Sequence, residues 1–326
     1  AVGNTAMGYQ AGMAVTTGTG NTAVGYQSGL YVDGGDYNTL VGSKAGQKLG
    51  DTASTSNHSS YNVAIGSEAL SGGDDTTANN TAYQNVAIGY RSLGGTTVGS
   101  DGTACTGYSN VVIGYSAGED MTSAQSNIFV GRGAAAQATT LANSIAIGAA
   151  ALDAATTGDQ RNVAIGGSAL GSYTNAGTDN VYNIAIGVGA AELLTTGIQN
   201  VVIGGNALSA ATTQADDNVA IGYGAMDGAI GTEDVDDCVA IGSGALSGAL
   251  EEEAAGSVAI GKSALAGITS GERNTAVGYQ AAKDITAADD NVAVGYLALT
   301  GSSNTGSIQN VAIGNYTLDN LGANAG

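Results

Sequence analysis

One short hydrophobic pattern runs the length of the chain: a polar residue, three apolar or β-branched residues, then glycine. It reads Asn-[Thr/Val/Ile]-Ala-[Ile/Val]-Gly and closes on Gly8, Gly25, Gly42, Gly66, Gly89, Gly114, Gly131, Gly148, Gly166, Gly187, Gly204, Gly222, Gly242, Gly261, Gly278, Gly295 and Gly314, seventeen copies in all. Most spacings are 17 to 21 residues, and the three consecutive ones between Gly42 and Gly114 are 24, 23 and 25. Such a unit is too short for two helices and their turns. It fits one coil of an all-β, parallel β-solenoid, with a strand, a turn, a second strand and a return. About 17 coils stacked at the ~4.8 Å strand spacing predict a rod of roughly 75–80 Å. The expected organisation is a single repeat domain, 1–326, with long inserted loops within 43–110. Both ends start in mid-pattern without a polar capping unit, so either flanking protein or end-to-end stacking is expected.

Each column of the repeat has a physical reading. Four residues before the glycine stands Asn in 14 copies, replaced by Ser144, Cys238 and Ser257. Stacked asparagines such as Asn21, Asn62, Asn85, Asn162, Asn218 and Asn291 are expected to form a ladder, each amide bonding to the next coil. Asparagine also accommodates a left-handed backbone or bonds its own backbone in a turn. The paired glycines, Gly25, Gly66, Gly89, Gly166, Gly222 and Gly295, are expected where the backbone needs positive φ or close approach. The β-branched residues flanking the central position favour an extended strand, with both side chains on one face. They are expected to fill the coil interior. The central residue, Ala in 13 copies, then points the other way and needs a second surface to cover it. A trimer with this strand toward its axis supplies that surface. Thr stands eight residues after the glycine in ten copies, among them Thr16, Thr97, Thr122, Thr139, Thr212 and Thr269, and is assigned to the second wall.

Composition sharpens the picture. The 326 residues include 54 Gly, no Pro and no Trp, yet 43% are hydrophobic. That is too apolar for an acidic disordered segment, and too poor in large side chains for a conventional core. The missing proline and three-residue period exclude collagen. A formal charge of −20 opposes nucleic-acid binding and attraction to anionic membranes. No apolar run approaches the ~18 residues of a membrane span.

At these residues a family resemblance becomes specific. Asn-Val-Ala-Ile-Gly, at 85–89, 162–166, 218–222 and 310–314, resembles the head repeat of YadA-like trimeric autotransporter adhesins. Asn-Thr-Ala-Val-Gly-Tyr-Gln, at 21–27 and 274–280, is similar to repeats in tail fibres of marine and cyanobacterial phages. The resemblance implies a homotrimer of left-handed β-rolls, exposed outside the cell or virion and used for attachment.

Candidate chemistry is sparse. His58 is the one histidine and has no recognisable catalytic partner, so no enzyme activity and no cofactor are expected. Cys105 and Cys238 stand about seven coils apart, roughly 34 Å, too far for an intrachain disulfide. Cys238 replaces a ladder residue and reads as a small packed thiol. Acidic pairs precede several strands: Asp216-Asp217, Asp236-Asp237 and Asp289-Asp290. Asp74-Asp75 and Glu251-Glu252-Glu253 are placed in loops. Asp217 and Asp237 are equivalent in consecutive copies and form the weak candidate Ca²⁺ pair, against a solvated acidic rim that discourages edge pairing. Tyrosine follows the glycine seven times, as at Tyr9, Tyr90 and Tyr223. It is expected to cover the coil corner.

These readings converge on a non-enzymatic rod of an extracellular attachment fibre, a phage tail fibre or cell-surface adhesin that mediates host or surface adhesion. A host-surface receptor or glycan is the expected partner. Loops Gly46–Tyr61, Ser71–Gln84 and Gly94–Ser109 are the candidate binding surface, because loops on rigid scaffolds carry function. A self-assembling structural filament is the alternative, followed by an ice-binding solenoid suggested by the Thr column.

Overall fold

The structure is a computed structural model that describes residues 1–50, 59–72, 81–94, 106–158, 160–174, 181–211, 215–228, 235–251, 255–301 and 308–319. The protein is an all-β, parallel β-solenoid. Two compact units are built mainly from Ala1–Arg161 and from Asn162–Asn175 with Val181–Gly326. The first unit holds eight three-residue strands, β1 (Thr5–Met7) to β8 (Ile145–Ile147). The second holds nine, β9 (Val163–Ile165) to β17 (Val311–Ile313). Every strand is the apolar triplet of one repeat. Within each unit, successive strands pair in parallel and in register, as in Ala220↔Ala240 and Val112↔Phe129.

Register follows from the glycine that ends each strand. All seventeen of these glycines have φ between 123° and 144°, a region closed to other residues. Gly222 shows why no side chain fits. A Cβ there would lie 2.7 Å from the carbonyl carbon and oxygen of Gly242 on the next coil. The close approach lets the Gly222 N–H donate to Ile203 O at 2.8 Å and the Gly242 N–H to Ile221 O at 2.7 Å.

The expected asparagine ladder is continuous over long stretches of each unit. The backbone N–H of Asn62, Asn85 and Asn110 each donates to the side-chain oxygen of the preceding ladder residue at 3.0 Å. In the second unit, the Asn218 N–H donates to Asn200 Oδ1 at 3.0 Å, and the Cys238 N–H to Asn218 Oδ1 at 2.9 Å. The amide nitrogen bonds forward: Asn62 Nδ2 to Ala82 O at 2.8 Å and Asn218 Nδ2 to Val235 O at 2.7 Å. Ser257 substitutes as an acceptor, taking the Asn274 N–H on its Oγ at 3.3 Å. Asn21, Asn62, Asn85, Asn162, Asn218 and Asn291 are all buried.

That burial fixes which way the strand faces, and it reverses the expectation. Strand side chains alternate, so a buried ladder residue places the residue two positions later inside as well. The Ala column therefore lines the coil interior: Ala64, Ala87, Ala146, Ala220 and Ala240 have no exposed surface, nor do Leu40 and Phe129 in the same column. The β-branched residues on either side point outward. A coil this thin has room inside for Ala, with Leu and Ala from the opposite wall, such as Leu141 and Ala138.

Two further readings are corrected. The left-handed residue is the one before the ladder asparagine, from Gly3 and Tyr37 to Asp217 and Gln309, in all seventeen coils. None of the ladder asparagines has positive φ. The opposite wall forms no second strand among the described residues. It has turns and isolated bridges such as Tyr108↔Gln125. Left-handed residues two and four positions after the glycine, such as Gln27 and Leu170, bend the chain there. Backbone bonds still join coil to coil along that path, including Ala14 N–H to Leu30 O at 3.0 Å.

Two predictions follow from the contacts between coils. Gly222→Ala is expected to destabilise by at least about 2 kcal/mol, from backbone strain plus the clash with Gly242. Gly205→Ala has no atom nearer than 3.5 Å and no unusual φ; it should change stability by less than about 1 kcal/mol. Urea unfolding followed by circular dichroism measures both. Asn218→Ala leaves buried backbone groups unpaired and should cost about 1–3 kcal/mol by the same assay, with Asn218→Ser milder.

Candidate functional site

The strands present their outer face to solvent as two apolar columns, three and one residues before each glycine. Val41, Ile65, Ile128, Ile147, Ile184, Ile203, Ile241 and Ile260 are 36–40% exposed, although each lies beside its equivalents on neighbouring coils. From β4 (Val63–Ile65) to β8 in the first unit, every residue of both columns is Val or Ile. The same holds from β9 to β14 (Val258–Ile260) in the second. Monomeric proteins seldom expose contiguous apolar patches of more than a few hundred Å². An array of this kind is the candidate interaction surface.

Exposed residues border this face on both sides. The residue after the glycine forms one rim, and the left-handed residue before the ladder asparagine forms the other. Tyrosines on these rims stack in pairs along the coils. Tyr9–Tyr26 and Tyr279–Tyr296 have ring centroids 5.5 Å apart on the first rim, and Tyr37–Tyr61 are 5.5 Å apart on the second. Tyr9, Tyr26, Tyr37, Tyr61 and Tyr223 are at least half exposed. They stand out from the corners, contrary to the expected covering role.

The acidic pairs divide into two tasks. The first residue of each pair ties coils together: Asp216 Oδ1 accepts the Ile198 N–H at 2.8 Å, Asp236 Oδ1 the Asp216 N–H at 2.8 Å and Asp289 Oδ1 the Glu272 N–H at 3.0 Å. The second residue is left-handed. Asp217 and Asp237 are exposed at the same corner of successive coils. Asp290 pairs with Arg273 at 2.8 Å, and the guanidinium hydrogen bond lowers the Asp290 pKa. Among the described residues, no group of three or more His, Cys, Asp or Glu is arranged to hold a metal ion.

The strained carboxylates lie elsewhere. Asp120 Oδ1 is buried without a hydrogen-bond partner. Burial raises the Asp120 pKa, and the charges of Glu119 and Asp153 add to it. Burial likewise raises the pKa of Asp153. Nothing in their sequence spacing marked these two. Cys238 carries a buried thiol whose pKa burial pushes up to about 11.

The threonine column is turned along the stacking direction. Thr122 Oγ1 donates to Thr139 O at 3.0 Å, Thr139 Oγ1 to Thr156 O at 2.9 Å and Thr269 Oγ1 to Thr286 O at 3.0 Å. These hydroxyls bond the next coil. His58, Cys105, Asp74-Asp75, Glu252-Glu253, Thr97, Thr212 and most of the three candidate loops lie outside the described residues.

No family model, curated protein or solved structure matches the chain.

Asp120 generates a prediction about pH. A carboxyl group whose pKa is raised on folding stabilises the fold below its unfolded pKa, and that stability is lost as pH rises through the folded value. Asp120→Asn removes the buried charge. It should raise the thermal midpoint at pH 7 and leave it nearly unchanged at pH 3, where the native Asp is protonated. Equal shifts at both pH values would show that the charge is not the cause.

Proposed function

We propose that the protein is a non-enzymatic rod of an extracellular attachment fibre, a phage tail fibre or cell-surface adhesin, assembled as a homotrimer and engaging a host-surface receptor or glycan. The observation that carries this reading is the exposed, in-register Val/Ile face. An apolar surface repeated coil after coil suits a chain built to lie against other chains, and a chain of charge −20 stays soluble outside that face. Coil-to-coil bonding supports a mechanical role. The strand, the asparagine ladder, the acidic bridges and the threonine hydroxyls all bond along the stacking direction, so they resist extension together. Perturbed groups such as Asp120 and Cys238 serve packing in this reading and do no chemistry.

Antibodies against the chain test the proposal on intact producing cells and on the particles they release. External labelling is expected, together with Fab fragments that block attachment to the target surface. Labelling confined to the cell interior, or attachment unaffected by saturating Fab, would contradict it.

A further inference from the structure

Tyrosines meet tyrosines from coil to coil. Among the described residues, Tyr9–Tyr26, Tyr37–Tyr61, Tyr83–Tyr108, Tyr90–Tyr115 and Tyr279–Tyr296 are stacked, with ring centroids 4.9–5.5 Å apart and interplanar angles of 7–30°. Each pair joins the same position on adjacent coils. That position is the residue after the glycine in three pairs, and one or two residues before the ladder asparagine in the others. Backbone bonds pin the bases of the rings. The Gln27 N–H donates to Tyr9 O at 2.8 Å, the Ser116 N–H to Tyr90 O at 2.9 Å, the Ser109 N–H to Tyr83 O at 3.2 Å and the Leu297 N–H to Tyr279 O at 3.1 Å. All of these tyrosines except Tyr108 are exposed, so their ring edges reach solvent.

Phenols are also the groups that this surface offers to a one-electron oxidant. The chain has no Trp. Cys238 is buried with a thiol pKa pushed up to about 11, so it holds little reactive thiolate. Met7 and Met13 are exposed, but a thioether is oxidised by oxygen transfer to the sulfoxide. A phenol that gives up one electron releases its hydroxyl proton, and the unpaired spin spreads to the two Cε carbons. Two such radicals couple through one Cε each. The hydrogens on the joined carbons then leave as the rings regain aromaticity, and the oxygens are reprotonated. The balance is one new Cε–Cε bond, two electrons passed to the oxidant and two protons released.

We infer that the stacked tyrosines are modification sites, at which an oxidant of the haem-peroxidase class, with hydrogen peroxide as electron acceptor, joins adjacent coils through Cε–Cε bonds. The peroxide takes the two electrons and two protons and leaves as water. The fold contributes proximity: a ring that has lost its electron already has a second phenol against it, so coupling is unimolecular. Exposure alone does not choose the sites. Tyr223 is 68% exposed, more than any paired tyrosine, but Gly205 and Ser243 hold its position on the coils to either side. Each bond closes a loop of 17, 24 or 25 residues, which restricts the unfolded chain. It also ties coils covalently along the stacking direction. The bonds 83–108 and 90–115 both join the coil of Gly89 to that of Gly114, on either side of the candidate loop Gly94–Ser109. A single chain supplies both halves of every bond, so the number of chains assembled and the receptor do not enter.

Treating the full native chain with a haem peroxidase and hydrogen peroxide, over a dilution series, tests the inference. Blue dityrosine fluorescence reports the bond, and peptide mass spectrometry locates it by the loss of two hydrogens from a joined pair. Bonds are expected at the five stacked pairs and not at Tyr223, with a yield that does not change on dilution. The oxidised chain should unfold at a higher temperature than the untreated one. Tyr26→Phe should leave Tyr9 unlinked and the 90–115 bond intact. Ser243 is exposed, and Ser243→Tyr gives Tyr223 a neighbour on the next coil, so a 223–243 bond should appear. Should that variant fail to fold by circular dichroism, wild type and Tyr26→Phe decide between the outcomes. Bonds formed only between chains, bonds at Tyr223 of wild type as frequent as those at the stacked pairs, or the same pairs in the same yield from urea-unfolded chain would overturn the inference. So would oxidation of tyrosine without any dityrosine.

Discussion

Adjacent coils meet backbone to backbone at the glycine that ends each strand, in every coil of the repeat, and the other features of the fold depend on that contact. Gly222 and Gly242 approach so nearly that a single Cβ between them would overlap a carbonyl group. The approach holds successive strands in register, and register aligns every other column. Asparagines stack only because they fall at the same height on each coil. The acidic bridges and the threonine hydroxyls need the same alignment. The glycine contact is thus the constraint, and the ladders are its consequences.

The length of the coil explains the composition. A coil of mostly 17 to 21 residues has a thin interior, which Ala fills at most strand positions and Leu fills from the opposite wall. Larger β-branched residues are displaced to the outside, where they form an exposed apolar face. Substitutions inside the coil therefore act on folding more strongly than substitutions on the Val/Ile face.

The repeat, its strands and its ladder were legible in the sequence because seventeen copies keep a β-branched residue and Gly in fixed columns, and fourteen of them keep Asn. The direction of the strand was not read correctly. An apolar triplet offers no polar outer face to compare with an inner one, and a shift of one residue exchanges the two faces. The deciding clue was the asparagine. A ladder residue buried between coils puts Ala220 inside with Asn218 and turns Val219 and Ile221 out. The left-handed corners also left a readable trace. The columns at those corners contain no Val, Ile or Thr in a chain rich in all three, as expected where β-branched residues meet positive φ. Asp120 and Asp153 left no such trace, because their burial depends on what neighbouring coils place around them.

The facing of the strand is the central claim, and adjacent residues 128 and 129 test it most directly. Phe129 has no exposed surface, whereas Ile128 is 40% exposed. Phe129→Ala should lower unfolding stability by about 3–5 kcal/mol, independent of protein concentration. Ile128→Ala should cost less than about 1 kcal/mol in the dilute single chain. A near-neutral Phe129→Ala beside a severe, concentration-independent loss in Ile128→Ala would place Val and Ile inside the coil and contradict the account.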